Sequence, residues 1–468
     1  MPVVLVGTLD TKGRELGFVR DILRALDVET IVIDAGSVGP TTIEPDVGRE
    51  EVFRRAGTTI ENVQARGDRG MAVAAAARGV AEVVAGLARE ARVDGLLAIG
   101  GSAGTTIGTL AMRALPFGVP KVMVSTLASG QTRPYVGGSD IVMIHSVADI
   151  AGLNRLTRTV LSNAAHALYG MVRGRPASRA STPDERPVVA ATMFGVTTPC
   201  VDRARRTIEE LGGECVVFHA TGVGGQAMES LVRDGLVEGL LDLTTTELAD
   251  EHVGGILTAG PERLEAAGRR GIAQVVSVGA LDMVNFGPRP TVPERFAARL
   301  FHQHNPTVTL MRTTPEENAA IGRRMAAVLA RARGPVVVLI PEGGVSALDA
   351  PGQPFHDPEA DAALFDALAG GLAGAPQVRV VRRAEHINDP AFAELAARTL
   401  YQLIRANPDP SRGYARRWAG ESQLDRIVDE IVGAPGDDRA AEDAARALWA
   451  AAGSAAIRFL DEPEPSHP

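Results

Sequence analysis

Short apolar runs recur along this chain, and most lead into a glycine-containing turn and then a helically spaced stretch. Val3–Gly7 is unbroken apolar sequence, and a helical pattern follows it through Leu26. Further runs lie at 30–33, 95–100, 121–126 and 141–145, with helical patterns at about 69–92, 102–115 and 147–172. Continuous apolar runs of this length fit strands covered on both faces, and their alternation with helices predicts a parallel sheet. Residues 38–66, rich in Pro, Gly, Thr and acids, read as an irregular excursion.

The pattern breaks at RGRPASRASTPDERP, residues 173–187, and then resumes. Strands are expected at 188–192, 214–219, 240–243, 274–278, 308–311, 336–340 and 378–381, as one parallel set. Helices fit at about 316–332, 359–372 and 390–406. The predicted fold is α/β, with two doubly wound Rossmann-like domains and mostly parallel sheets. The first domain spans 1–175, a linker 176–187, and the second domain 188–410. Residues 411–468 change composition and read as a helical tail for packing or assembly, with a disordered end. No sequence repeat relates the halves.

The chemistry collects where strands end. Residues 94–106, DGLLAIGGSAGTT, run from a strand through glycines into a helix. Glycines let backbone approach an anion, and a helix start offers free N–H groups and its positive dipole end. Gly100, Gly101, Ser102, Ala103, Gly104, Thr105 and Thr106 are therefore candidates for holding phosphate. The spacing is neither G-x-x-x-x-G-K-[ST] nor G-x-G-x-x-G, and a tight turn without a ligand is the alternative. After the first strand come Asp10, Thr11 and Lys12. Lys12 suits a phosphate, and Asp10 suits a metal-bound water or hydroxyl, or else caps the helix. Asp34 and Ser37 follow the second strand, where an acid can bind a ribose hydroxyl. Asp68, Arg69 and Gly70 open the long Ala-rich helix, with Arg69 facing phosphate or solvent. Ser129 and Gly130, in the loop after 121–126, could cover a nucleotide.

Composition narrows the field. The 468 residues carry a net charge of −9, which argues against a nucleic-acid surface. No apolar run approaches the ~20 residues of a bilayer span, so no membrane is expected. The start enters a strand directly, unlike a signal peptide. Two cysteines, Cys200 and Cys215, form no disulfide framework and fit the cytoplasm. Lysine occurs at 12 and 121 alone, every other basic residue but His being Arg. That singles out Lys12 for a compact ammonium, whereas Lys121, at a strand entry, reads as structural. His145 reads as a core histidine. His302 and His304 lack a third ligand at a familiar spacing. His356, Asp357, Glu359 and Asp361 read as an acid-rich helix start. Glu247, Asp250, Glu251 and His252 read as surface helix residues, with acid–base chemistry the alternative. No G-x-S-x-G elbow occurs.

Several longer motifs carry a family likeness. They include GTLDTKGREL (7–16), GGSAGTT (100–106), the run from 115 to 155, TMFGVTTPCV (192–201), VFHATGVGGQAME (217–229), TTTELAD (244–250), SVGALDMVNFGP (277–288) and ALDAPGQPFHDPEAD (347–361). With them the chain resembles the Tm-1-like ATP-binding family, which includes the N-terminal half of a tomato mosaic virus resistance protein. The likeness covers about 1–408. It implies ATP binding in the first domain, a two-domain α/β architecture and a dimer. It puts nucleotide contacts on Asp10–Lys12, near Ser37, on 68–70 and on 101–105. The plant proteins continue into a TIM-barrel half that this sequence lacks.

The expected function is ATP binding at the first domain's strand ends, facing an interdomain cleft. Mg²⁺ would accompany the triphosphate, with Asp10 in its water shell. A catalytic residue is not assigned. One alternative is a ligase- or kinase-like enzyme whose small substrate sits on loops 221–226, 244–250 and 279–286 of the second domain. Another is a nucleotide-gated module for a separately encoded TIM-barrel protein.

Overall fold

The computed structural model of the protein describes residues 2–130, 132–179 and 186–406. The tail expected over 411–468 lies outside the described residues. Contacts divide the chain into two units, Met1–Asp184 and Glu185–Pro468.

Unit one runs β1 (Val3–Gly7), α1 (Leu9–Ala25), β2 (Thr30–Asp34), α2 (Arg49–Arg55), α3 (Ile60–Arg66), α4 (Arg69–Arg89), β3 (Gly95–Gly100), α5 (Ser102–Arg113), β4 (Lys121–Ser125), α6 (Arg133–Val136), β5 (Val142–His145) and α7 (Arg155–Arg179). The five strands are parallel, in the order β2-β1-β3-β4-β5. Their apolar runs are continuous because both faces are covered. Val4, Val6, Leu96 and Ala98 pack with α2, α4 and α5, while Val3, Leu5, Leu97 and Ile99 pack with α1 and α7. From β1 the chain goes one way to β2 and then the other way to β3. That reversal opens a crevice beyond the carboxyl ends of β1 and β3, the usual ligand position in such sheets.

Lys121 is structural, as its place at a strand entry implied. It is fully buried and pairs with Asp140 Oδ1 at 2.6 Å while donating to Pro116 O at 2.8 Å. Four expectations change. The 38–66 excursion contains α2 and α3, whose Val52, Phe53, Ile60 and Val63 are buried under α4. The helix expected from 147 starts at Arg155, where Asn154 Oδ1 accepts from Leu156 N and Thr157 N. It then runs to Arg179, into the stretch read as linker. His145 is not in a core; it is exposed at the end of the edge strand β5. Helix α4 is long and apolar enough by composition to cross a membrane, though Val80 and Val84 are buried in the unit-one core.

Unit two runs β6 (Val188–Met193), α8 (Thr198–Glu210), β7 (Glu214–His219), α9 (Val223–Asp234), β8 (Gly239–Thr244), α10 (Glu247–Val253), α11 (Ala266–Arg270), β9 (Ala273–Gly279), β10 (Met283–Phe286), β11 (Phe301–Asn305), β12 (Val308–Arg312), α12 (Pro315–Leu329), β13 (Val336–Pro341), α13 (Pro358–Leu372), β14 (Val378–Arg383) and α14 (Pro390–Ala406). Six strands form a parallel sheet in the order β14-β13-β9-β8-β6-β7. Counted from its own first strand, this repeats the reversal of unit one. Helices α8 and α14 cover one face, and α9 to α13 the other. The run at 308–311 is not part of the parallel set. As β12 it pairs antiparallel with β10 and β11 in a separate three-stranded sheet. Only Pro306 and Thr307 separate β11 from β12, which permits a hairpin and forbids a parallel crossover.

A buried guanidinium holds unit two together. Arg263 Nη1 and Nη2 reach Asp242 at 2.6 and 2.7 Å, Nε reaches Glu247 at 2.7 Å, and Nη1 lies 3.5 Å from Glu229. Removing one partner of a buried ion pair leaves the others uncompensated. Arg263→Leu is expected to cost about 3–5 kcal/mol in urea unfolding followed by circular dichroism. A loss below about 1 kcal/mol would show that the backbone donors alone sustain the three carboxylates.

Candidate functional site

At the carboxyl edge of the unit-one sheet, the segments that follow neighbouring strands differ in their electrostatics. The β3 side is the glycine loop. A Cβ on Gly100 would lie 2.6 Å from the Gly104 Cα, and one on Gly104 would lie 3.0 Å from Ile99 O. The loop is therefore as tight as backbone allows, and glycine is required at 100. Gly101 caps α5 without a side-chain bond, and no acid stands in the first turn. The N–H groups of Ser102, Ala103 and Gly104 are the ones a helix start leaves without intrahelical partners. Ser102 is exposed, and Ala103 and Gly104 are half-buried. Thr105 is turned away from this edge. It is buried, and its hydroxyl bonds Gly101 O at 2.8 Å and Ser125 Oγ at 2.6 Å. Thr106 Oγ1 donates to Ser102 O at 3.0 Å.

The β1 side is already furnished with acids. Asp34 is fully buried, and its Oδ1 accepts from Leu9 N at 3.0 Å and Gly36 N at 2.8 Å. Its Oδ2 accepts from Arg49 Nε at 3.0 Å. Asp34 is thus spent on the start of α1 and on Arg49, and it does not offer itself to a ribose. Asp10 does not cap its own helix. Its Oδ2 accepts from Ser37 N at 3.1 Å, Val38 N at 2.9 Å and Gly39 N at 3.3 Å. Such a run of N–H groups is an anion nest, filled here by the chain's own carboxylate. Asp10 Oδ1 is buried with no partner. Thr11 Oγ1 bonds Thr8 Oγ1 at 2.7 Å, and Lys12 Nζ donates to Ile150 O.

The remaining candidates lie farther round the edge. Asp68 caps α4 by accepting from Met71 N at 3.0 Å, beside exposed Arg69 and Gly70. Ser37 O accepts from Gln64 Nε2 at 2.9 Å, tying α3 to the Asp10 nest. Ser129 and Gly130 form an exposed turn after β4, with Gly130 N on Leu127 O at 3.0 Å. Arg49 and Gln64 escaped sequence reading because they stand in an excursion with no motif around them.

The same edge of unit two is filled from within. Glu247 Oε1 accepts from Gly222 N at 2.7 Å and Gly225 N at 3.1 Å, so a carboxylate occupies the glycine turn that starts α9. A Cβ on Gly225 would lie 2.2 Å from Glu247 Oε2. Glu229 accepts from Leu264 N at 2.7 Å and Ala266 N at 2.8 Å. Thr244, Thr245, Thr246 and Glu247 are all fully buried, as is Asp250. Glu247 and Asp250 are therefore core residues and not surface helix positions. Burial pushes Asp250 up to about 7, against the Asn285 amide that favours its charge.

Profiles of the uncharacterised protein family UPF0261 match both units, its N-terminal domain over residues 1–177 and its C-terminal domain over 186–404. The chain belongs to UPF0261. It is 50% identical over 402 residues to a UPF0261 protein of Clostridium tetani, covering 86% of this chain and 98% of that one. It is 40% identical over 438 residues to the ToMV susceptible protein tm-1 of Solanum lycopersicum, covering 90% of this chain and 57% of that protein. The solved structure of spinosyn rhamnosyltransferase SpnG aligns over 88% of this chain and 98% of that one, at 15% identity with a TM-score of 0.15, too low to bear on the fold.

The UPF0261 C-terminal domain holds a second buried acidic group. Arg312 Nη2 bonds Asp361 Oδ1 at 2.8 Å and lies 3.9 Å from Asp349 Oδ1. Ser346 Oγ donates to Asp282 Oδ2 at 2.7 Å, and His356 Nδ1 is 3.8 Å from Asp349 Oδ1. Asp282 Oδ1 and Asp349 Oδ1 are buried without a hydrogen-bond donor. His302 and His304 do not join this group, and among the described residues no cluster of His, Cys, Asp or Glu could hold a metal. Both cysteines are pushed up by burial, which leaves them inert thiols.

Burial, with the charge of Asp349 added, pushes Asp361 up to about 8 against Arg312, and burial lifts Asp282 to about 7. A raised carboxyl takes up a proton on folding, so its contribution is complete below the unfolded pKa near 4 and fades as pH rises through the folded value. Unfolding free energy is expected to fall from about pH 5 to pH 8, by up to about 1.4 kcal/mol per pH unit for each proton taken up, and the melting temperature with it. Asp361→Asn should flatten that slope in calorimetric scans. An unchanged slope would locate the proton elsewhere.

Proposed function

We infer that this UPF0261 protein binds ATP at the β1/β3 crevice of unit one, with the triphosphate on the start of α5. The observation that carries the reading is an unfilled helix start at the switch point of a doubly wound sheet. Its glycine loop is built to bring backbone N–H groups against an anion. Lys12 stands in the first turn of α1, after the neighbouring strand β1. Ile150 O takes one of its three ammonium donors, and two remain for phosphate oxygens. The resemblance of the motifs at 7–16 and 100–106 to an ATP-binding family supports a nucleotide over a simple anion.

A divalent cation fits the acid side of the crevice. Asp10 Oδ1 is a buried carboxylate oxygen without a donor, suited to a water of Mg²⁺, which keeps several waters and few protein ligands. When bound, Mg²⁺ supplies neutralisation of the phosphate charge. Asp10 would orient that water, Lys12 and the α5 N–H groups would hold the phosphates, and Asp34 would keep α1 in place. Enzymatic use of a small substrate on unit two is the weaker reading. Much of the polar chemistry on its loops at 222–225 and 244–250 is spent on internal bonds.

Ser102→Glu tests the assignment without disturbing the fold. An acid in the first turn favours the helix dipole and is expected to leave the melting temperature unchanged or slightly higher. It should lower affinity for ATP with Mg²⁺ at least about tenfold in titration calorimetry, as a carboxylate competes for the phosphate position. Gly104→Val should also weaken binding by crowding the loop. Equal affinity in wild type and both variants would remove α5 as the phosphate site.

A further inference from the structure

One segment beside this crevice is explained neither by folding nor by phosphate binding. After β5 the chain crosses back toward α1 as a strap, residues 146–152. Ser146 N bonds Ser125 O at 3.2 Å at one end. At the other, Lys12 Nζ bonds Ile150 O, and Glu15 Oε1 accepts from Gly152 N at 2.6 Å. Between these anchors Val147 has φ +64° and is 72% exposed. Ala148 N bonds Ser146 O at 2.7 Å and Ser146 Oγ bonds Ala148 O at 2.6 Å, closing a three-residue turn with Val147 at its centre. A β-branched residue at positive φ is a genuine outlier, costing on the order of 1–3 kcal/mol, and such strain collects at ligand sites. Gly or Asn would relieve it. With the side chain 72% exposed, the fold gains little from burying it.

We propose that Val147 is the specificity residue of the unit-one site, gripping the apolar ring of a ligand whose phosphates sit on α5. This rests on the phosphate assignment above. Neighbouring strands lie about 4.8 Å apart, so the end of β5 is about 10 Å from the end of β3, roughly the reach from the phosphates of a nucleotide to its base. The exposed Ser129–Gly130 turn of β4 lies on that path. The strap is pinned to Lys12 itself, so the ring contact and the phosphate contact are held in one register. Val38 is 84% exposed on the opposite flank, at the tip of the nest filled by Asp10, and its backbone is unstrained.

The test titrates wild type, Val147→Gly, Val147→Asn and Val38→Ser with ATP and, separately, with inorganic tripolyphosphate, each with Mg²⁺. Melting curves and gel filtration accompany each variant. Both Val147 variants are expected to melt above wild type, bind tripolyphosphate as wild type does, and lose about tenfold on ATP. ATP affinity unchanged in both Val147 variants overturns the proposal. So does a loss confined to Val38→Ser, or a changed oligomeric state with ATP affinity intact. If wild type binds neither ATP nor tripolyphosphate, the α5 assignment itself falls. If wild type binds both and Val147 is silent, the α5 assignment stands alone.

Discussion

A helix that starts at the edge of a parallel sheet must have its first N–H groups met by something, and what meets them sorts this molecule into structure and site. The chain fills most of these positions itself. Asp34 meets α1, Asn154 meets α7, Glu247 meets α9, and Glu229 meets α11. Each is a side-chain oxygen placed where an external anion would otherwise sit. Helix α5 carries no such side chain in its first turn. Its donors are oriented by the tight glycine loop, and on the proposed reading a phosphate would meet them.

The two units make the contrast internal. Their sheets share one strand order, reversing after the first strand in each. The loop after the third strand occupies the same slot in both, 100–106 in one and 244–250 in the other. In unit one it is GGSAGTT, without an acid. In unit two it is TTTELAD, whose Glu247 turns back to the glycine turn and to Arg263. The fold is held constant while residue type decides whether acids stand in the first turn of the helix that follows, none in α5 and Glu247 and Asp250 in α10.

How much of this the sequence disclosed follows from the range of each interaction. Strands buried on both faces announce themselves as apolar runs, so β1 to β4 and most of the unit-two sheet were legible. The glycine loop was legible because backbone closeness demands glycine locally. Asp34 was legible as a strand-end acid but not in its role, since its partners Leu9 and Arg49 come from distant segments. The same holds for Glu247, read as a surface residue because its neighbours are helical, and buried because Arg263 lies across from it. The antiparallel β12 carries the same apolar signature as a parallel strand, and only the two-residue link to β11 tells them apart. Nothing in the composition of 146–152 marks a strap; its geometry depends on Lys12 and Glu15.

The acids on the β1 side bear on what the crevice can accept. A phosphate bound at α5, as proposed, would lie one strand away from Asp10 in the first turn of α1 and two from Asp34 at the end of β2. Arg49, at 2.9 Å, neutralises Asp34. Among the described residues Asp10 has no ionic partner; backbone N–H groups satisfy one oxygen and leave the other without a donor. In a partly desolvated crevice a bare anion beside that oxygen is repelled, whereas an anion carrying its own countercation is not. On the proposed reading the arrangement would select for phosphate delivered with a cation, and it would do so through Asp10 rather than through the glycine loop. The glycine loop would supply attraction to any phosphate. Asp10 would supply the condition on which that attraction becomes binding.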